Sequence, residues 1–259
     1  MRYIGFDVGS TCTKAVVLDE QGSLVFSKVV PTGWNCIETA EGLLSEMETQ
    51  NIHKKDARIV ATGYGRVSIP FAHKTVTEIS CHGRGAAWLF KSDAFTVIDI
   101  GGQDTKIIEV KDGRVQNFIM NDKCAAGTGR FIEVMMRILE EDISNIDQFV
   151  EGHQPMNITS MCTVFAESEI VSLLAKGADK GDIALGIINS ICRRTSFFAQ
   201  KLNLSGDIFF SGGLAKFEIF RSTLEGYLKI PVHTSPLSQY AGAIGAAVIG
   251  YNKVNRTQI

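Results

Sequence analysis

Ile4-Gly5-Phe6-Asp7-Val8-Gly9-Ser10-Thr11-Cys12-Thr13-Lys14-Ala15-Val16-Val17 and Val97-Ile98-Asp99-Ile100-Gly101-Gly102-Gln103-Asp104-Thr105-Lys106-Ile107-Ile108 are two copies of one pattern. Asp7, Gly9, Thr13 and Lys14 fall on Asp99, Gly101, Thr105 and Lys106 at a single constant offset. Each copy reads as an apolar strand, a glycine turn and a second strand. A third strand follows each: Leu24 to Val30 after Gln21-Gly22, and Val115 to Met120 after Asp112-Gly113. Those dipeptides suit tight hairpins. A strand unit used once per half predicts an α/β chain of two related lobes, each a mixed sheet with helices.

Outward from these units the pattern alternates. Helical spacing of apolar residues predicts helices over about 37–47, 79–90, 131–139, 164–174, 183–202 and 241–249. Short strands are expected over 58–62, 207–211 and 231–234. We place the first lobe at residues 1–93 with a C-terminal helix returning from 236–259, and the second at 94–235. The 259 residues suffice for two modest lobes with real cores. Hydrophobic residues make up 45% and charged residues 21%, with a formal net charge of −2 and no block of like charge. That balance gives no reason to expect nucleic acid or an anionic membrane as partner. The N-terminal stretch reads as a strand, not a signal peptide, and no uncharged run is long enough to span a bilayer, so a cytoplasmic protein is expected.

Glycine turns let backbone N–H groups approach an anion closely, and two of them facing each other can grip a polyphosphate from both sides. Asp7 and Asp99, each near the end of its strand, are placed to hold a hydrated Mg²⁺. Ser10, Thr11 and Thr13 add hydroxyls, and Lys14 adds a cation if it points inward. The competing reading is a pair of plain hairpin turns with capping aspartates, which the matched duplication disfavours. A third glycine element, Phe209-Phe210-Ser211-Gly212-Gly213-Leu214-Ala215, reads as a strand entering a Gly-Gly turn and a helix, a seat for base and ribose.

Asp-x-Gly-Ser-Thr, Asp-x-Gly-Gly-Gln-Asp and Ser-Gly-Gly in this order resemble the actin, Hsp70 and sugar-kinase superfamily of ATPases. The resemblance implies two ribonuclease-H-like lobes closing over Mg-ATP.

The six cysteines, Cys12, Cys36, Cys81, Cys124, Cys162 and Cys192, contain no C-x-x-C pair. Most are expected to be small packing residues. Cys124 and Cys162 each stand just before an expected helix, where free N–H groups and the positive end of the dipole stabilise a thiolate. Two such thiolates are half of a Cys₄ site, which a two-fold axis would complete. Two merely buried or reactive thiols are the alternative.

Asn121-Asp122-Lys123-Cys124-Ala125-Ala126-Gly127-Thr128-Gly129-Arg130-Phe131 and Cys162-Thr163-Val164-Phe165-Ala166-Glu167-Ser168-Glu169 resemble the signatures of the activators of 2-hydroxyacyl-CoA dehydratases. That family includes the ATPase subunits of benzoyl-CoA reductase and the reductases of double-cubane cluster proteins. Ala61 to Arg66, Glu78 to His82 and Ile98 to Asp104 match it too, so the resemblance spans almost the whole chain. It implies an ATP-hydrolysing electron donor, a homodimer around one 4Fe-4S cluster held by Cys124 and Cys162 of each subunit. ATP or ADP with Mg²⁺ would lie on Ser10, Thr11, Cys12, Thr13 and Lys14 and on Gly101, Gly102, Gln103 and Asp104. By the same resemblance, Gly127, Thr128 and Gly129 adjoin the nucleotide, Glu133 meets the ribose, and Gly212, Gly213 and Gln239 lie near the base. Gln103 and Asp104 are the expected catalytic pair, since an amide can orient a water for slow hydrolysis. An iron–sulfur acceptor downstream, and ferredoxin or flavodoxin upstream, are implied as partners. Cys36, Cys81, His82 and Cys192 read as packing residues, and the Cys12 thiol as incidental. A small-molecule kinase of the same fold and a nucleotide-switched binding module are the alternatives, and neither explains the two cysteine motifs.

Overall fold

The computed structural model describes residues 1–255 apart from Cys124, Met161, Asn203 and Ser205. The expectation for Cys124 therefore lies outside the described residues.

In chain order the elements are β1 (Arg2–Val8), β2 (Cys12–Leu18), β3 (Leu24–Pro31), α1 (Cys36–Thr49), β4 (Ala57–Thr62), β5 (Lys74–Thr75), α2 (Glu78–Phe90), β6 (Ala94–Ile100), β7 (Thr105–Lys111) and β8 (Arg114–Asn121). They continue with α3 (Gly129–Ile138), α4 (Ile146–Phe149), α5 (Thr163–Ala175), α6 (Lys180–Ala199), β9 (Asp207–Gly212), α7 (Glu218–Leu228), β10 (Val232–His233) and α8 (Ala241–Asn255).

The strands form two five-stranded sheets, ordered β3-β2-β1-β4-β5 and β10-β9-β6-β7-β8. In each, the hairpin strands are antiparallel and the strand on the other side of the central one joins parallel: β4 on β1, and β9 on β6. The repeat seen in the sequence is thus a repeat in space. Asp7 pairs with Lys14 across β1 and β2, and Asp99 pairs with Lys106 across β6 and β7. β1 and β6 are central and nearly all buried, which is why they read as unbroken apolar runs, whereas the edge strands β3 and β8 are half exposed. Asp112 and Gly113 both take positive φ, 51° and 65°, the pair of left-handed residues a tight hairpin turn needs.

Local chemistry sets the helix ends. The Asn35 side chain accepts from the N–H groups of Ile37 and Glu38 to start α1, and Asp179 does the same for α6 through Gly181 and Asp182. The six expected helices are α1, α2, α3, α5, α6 and α8. The Gly212-Gly213 turn leads first into a 3₁₀ turn, Gly213–Lys216, and only then into α7. The last expected strand shrinks to Val232–His233 beside β9.

The largest core lies under the second sheet, where Phe131, Ile132, Ala166, Ile170, Ile187, Phe210 and Phe220 are all buried together. A second core joins Ile4, Phe6, Leu43, Met47 and Ile59. α8 packs on β1 and β4, and α2 packs on α8 while also touching β7 and β8. At the α2–α8 crossing a Cβ added to Gly85 would run into the Ala241 carbonyl, and one added to Gly245 into the Cys81 carbonyl. The two backbones touch.

Candidate nucleotide site and cysteine face

The two Asp–Gly turns face one another. A Cβ on Gly102 would collide with the Thr11 side chain, so only glycine lets the turns approach this closely. Between them and the β9 turn lies a cavity of about 290 Å³. From the first turn Asp7, Ser10, Thr11, Cys12 and Lys14 line it; from the second, Asp99, Gly101, Gly102, Gln103 and Asp104. Gly129, Glu133, Gly212, Gly213 and Gln239 line it as well. Thr13, Gly127 and Thr128 do not line it. Thr13 is buried with its hydroxyl on Thr32 (3.0 Å), the Gly127 carbonyl accepts from Thr105 Oγ1 (3.1 Å), and Thr128 Oγ1 donates to the Ala125 carbonyl (2.6 Å).

Beneath the turns lies a buried charge network that the sequence reading underestimated. His82, expected to be a packing residue, is buried with its Nδ1 3.3 Å from Asp99 Oδ1 and its Nε2 3.9 Å from both Asp7 Oδ2 and Glu78 Oε1. It therefore stands between the two register-matched aspartates, one from each sheet. Burial alone would disfavour its protonation, but the nearby Asp99 carboxylate outweighs this and raises its pKa. Asp99 is correspondingly held well below the usual carboxylate range, burial being overcome by His82 and Lys106.

Lys106 was not among the expected site residues. Its ammonium is buried and meets Asp104 Oδ1 at 2.6 Å, Glu78 Oε1 at 3.0 Å and Asp99 Oδ2 at 3.3 Å. Burial opposes its charge, and these three carboxylates raise its pKa regardless. Glu78 itself is pushed up, its burial outweighing the lowering by Lys106 and His82. The spacing Glu78-x-x-x-His82 puts both side chains on one helix face, a signal present in the sequence. Lys14, by contrast, is 3.6 Å from Asp7 Oδ2 and partly open to the cavity.

The network also indicates where a cation fits. Both Asp99 oxygens are occupied, Oδ1 by Ser211 Oγ (2.7 Å) and His82, and Oδ2 by Lys106. Asp7 Oδ1 and Asp104 Oδ2 are buried without a hydrogen-bond partner, although both residues line the cavity. Hard, anionic oxygens left open in this way suit a hydrated Mg²⁺.

The second turn is wired to a helix. The N–H of Gly129 donates to the Gly101 carbonyl (2.8 Å) and that of Arg130 to the Gly102 carbonyl (2.9 Å), so the first turn of α3 hangs on the phosphate-type turn. α3 packs in turn on α5. Cys162 is the N-cap residue of α5, exposed, and its side chain makes no capping bond; Val164 and Phe165, just beyond, are 67% and 68% exposed. A free thiol at a helix N-terminus on an open apolar face fits a ligand to an anionic group shared with another surface. Cys81 and Cys192 are buried among apolar side chains as expected, burial pushing the Cys81 thiol up to about 12 and Cys192 up as well. Among the described residues no helix is long and apolar enough to cross a membrane.

Comparison with known proteins agrees with this geometry. The model of the BadF/BadG/BcrA/BcrD ATPase family matches residues 4–250. The (R)-2-hydroxyglutaryl-CoA dehydratase activating ATPase of Acidaminococcus fermentans is 43% identical over 253 residues, 96% of this chain and 97% of that one. The crystal structure of Acidaminococcus fermentans (R)-2-hydroxyglutaryl-CoA dehydratase component A superposes with a TM-score of 0.93 at 42% identity, covering 98% of this chain and 99% of that one. The activator of the 2-hydroxyisocaproyl-CoA dehydratase from Clostridium difficile, solved with bound ADPNP, also gives 0.93, at 34% identity over 100% and 97% of the two chains.

Proposed function

The chain belongs to the BadF/BadG/BcrA/BcrD ATPase family, and from that premise we propose that it is an ATP-hydrolysing reductive activator of a partner iron–sulfur protein. It works as a homodimer sharing one 4Fe-4S cluster between Cys124 and Cys162 of both subunits, fed by ferredoxin or flavodoxin. The cluster supplies one stored low-potential electron. The acceptor is a 2-hydroxyacyl-CoA dehydratase or an enzyme of the benzoyl-CoA reductase or double-cubane type.

The observation that carries this reading is the pair of hydrogen bonds from the first turn of α3 to Gly101 and Gly102. They tie the phosphate-type turn to the helix that follows Cys124, and α3 rests on the helix that follows Cys162. A shift of the second turn when the γ-phosphate arrives or leaves is thereby handed to the cysteine face. Cluster potential responds to hydrogen bonding and exposure, so such a shift tunes electron delivery.

The remaining roles follow from placement. Lys14 neutralises phosphate charge, while Asp7 and Asp104 hold the hydrated Mg²⁺. Gln103, exposed at the cavity, orients the attacking water without taking its proton, which suits a slow switch. Glu133 receives the ribose, and the Gly212-Gly213 turn with Gln239 receives the base. The closing bodies are the lobes 1–93 with 236–259, and 94–235.

The test is iron and acid-labile sulfide in anaerobically purified wild type and Cys124→Ala. About four of each per dimer in wild type, lost in the variant, is the expected outcome. An iron-free wild type that resists anaerobic reconstitution yet binds ATP would sink the proposal.

A further inference from the structure

An Asn, Asp, Ser or Thr at a helix N-cap normally spends its side chain on the helix's own N–H groups. α5 begins with Cys162 instead, and that side chain makes no such bond. The loop arriving at Cys162 is held by another group. Glu169, in the second turn of α5, reaches back so that its Oε1 accepts from the Thr159 N–H (2.9 Å) and the Thr159 hydroxyl (2.8 Å), while its Oε2 accepts from the Ser160 N–H (2.7 Å). One carboxylate thus closes the chain from residue 159 to 169 into a loop with Cys162 inside it. The loop is fixed at its start as well, where Ile158 is buried in the largest core. The Ala166 N–H bonds the Cys162 carbonyl (2.8 Å), the first bond of the helix.

We propose that Glu169 is a positioning residue for Cys162: it fixes the backbone just ahead of the N-cap, so that the thiol is held in place without a bond of its own and stays free to bind the cluster. This rests on the reading of Cys162 as a cluster ligand. Glu169 never touches the cluster; it acts through the Thr159–Ser160 backbone. Burial works against its charge, yet the hydrogen bonds from Ser160 and Thr159 hold it down at about 2, so the clamp is ionised throughout the neutral range. Groups that orient metal ligands in this way change metal retention by about 10–100-fold when removed.

The experiment compares anaerobically prepared, cluster-loaded dimers of wild type, Glu169→Gln and Thr159→Val. Iron release to a ferrous chelator should be about 10–100-fold faster in Glu169→Gln. Thr159→Val, which loses only the hydroxyl donor, should shift the same way by less. MgATP binding should stay unchanged in both, because the clamp touches no cavity residue. In iron-free protein, alkylation of Cys162 by iodoacetamide and amide exchange at Thr159 and Ser160 should also quicken in Glu169→Gln. Equal iron release and equal alkylation in wild type and both variants overturn the proposal. If Glu169→Gln does not bind nucleotide, Thr159→Val decides: faster release supports the clamp, and unchanged release overturns it. A wild type that holds no iron defeats the cluster reading instead, and the alkylation and exchange rates then decide the clamp by themselves.

Discussion

The two Asp–Gly turns share a register, with Asp7 opposite Lys14 and Asp99 opposite Lys106, yet they sit in different mechanical and electrical settings. The first is fastened to its own sheet. The Thr32 hydroxyl donates to the Gly9 carbonyl (2.7 Å), its N–H donates to the Thr11 carbonyl (2.9 Å), and Thr13 pairs with it as well. The second is fastened to the start of α3, a separate element that leads toward the cysteine face. Lys14 looks onto the cavity, whereas Lys106 is sealed among Asp99, Asp104 and Glu78. Duplication therefore supplied a matched frame, and α2 made it asymmetric by setting Glu78 against Lys106 while His82 stands between the two aspartates. One turn is tied back to its own sheet, the other to a helix outside its sheet.

The sharpest way to break this contrast is to remove each lysine. Lys106→Met leaves two buried carboxylates, Asp99 and Asp104, and the half-buried Glu78 without their shared cation and should cost about 3–5 kcal/mol in denaturant unfolding of nucleotide-free protein. Lys14→Met should leave stability nearly intact and weaken MgATP binding by about 10–100-fold, the worth of one hydrogen bond to a charged group. Equal stability losses in the two variants would mean the turns are equivalent after all.

His82→Gln probes the asymmetry through pH. A histidine whose pKa is raised in the fold stabilises it fully below its unfolded value, about 6.5, and loses that contribution as pH rises through the folded value. The melting-temperature gap between wild type and His82→Gln, without nucleotide or Mg²⁺, should be widest at pH 6 and close toward alkaline pH. A gap that widens with pH would refute the protonated bridge. The smallest effect is expected from Thr32→Val, which releases the first turn from its strand at about 1 kcal/mol; no measurable loss would show that this turn supports itself.

Much of the frame was legible because each sheet repeats one local grammar: apolar strand, glycine turn, strand, dipeptide turn. Asp7, Lys14, Gly101 and Gly102 could be assigned to a cavity from that grammar alone. Lys106 could not, although it aligns with Lys14, because its role depends on Glu78 arriving from α2, a partner distant in sequence. His82 reads as packing because the family resemblance implies no ligand role for it; it is buried, but the same helix face carries Glu78 one turn earlier and meets both aspartates. Thr13 misled in the opposite sense. It belongs to the turn motif, but strand alternation points its hydroxyl at Thr32 and not at the cavity. Glu169 shows the same limit, since a residue one turn into a helix bonding the chain before that helix leaves no periodic trace.

The backbone contact between α2 and α8 has a mechanical corollary. Most helix pairs are cogged: interdigitated side chains must change rotamer before one helix can turn on the other. At Gly85 and Gly245 there are no teeth, only main chain against the Ala241 and Cys81 carbonyls. The helix that bears Glu78 and His82 is thus seated backbone to backbone on α8, a spacing that no added methyl group can enter without pushing one helix off the other.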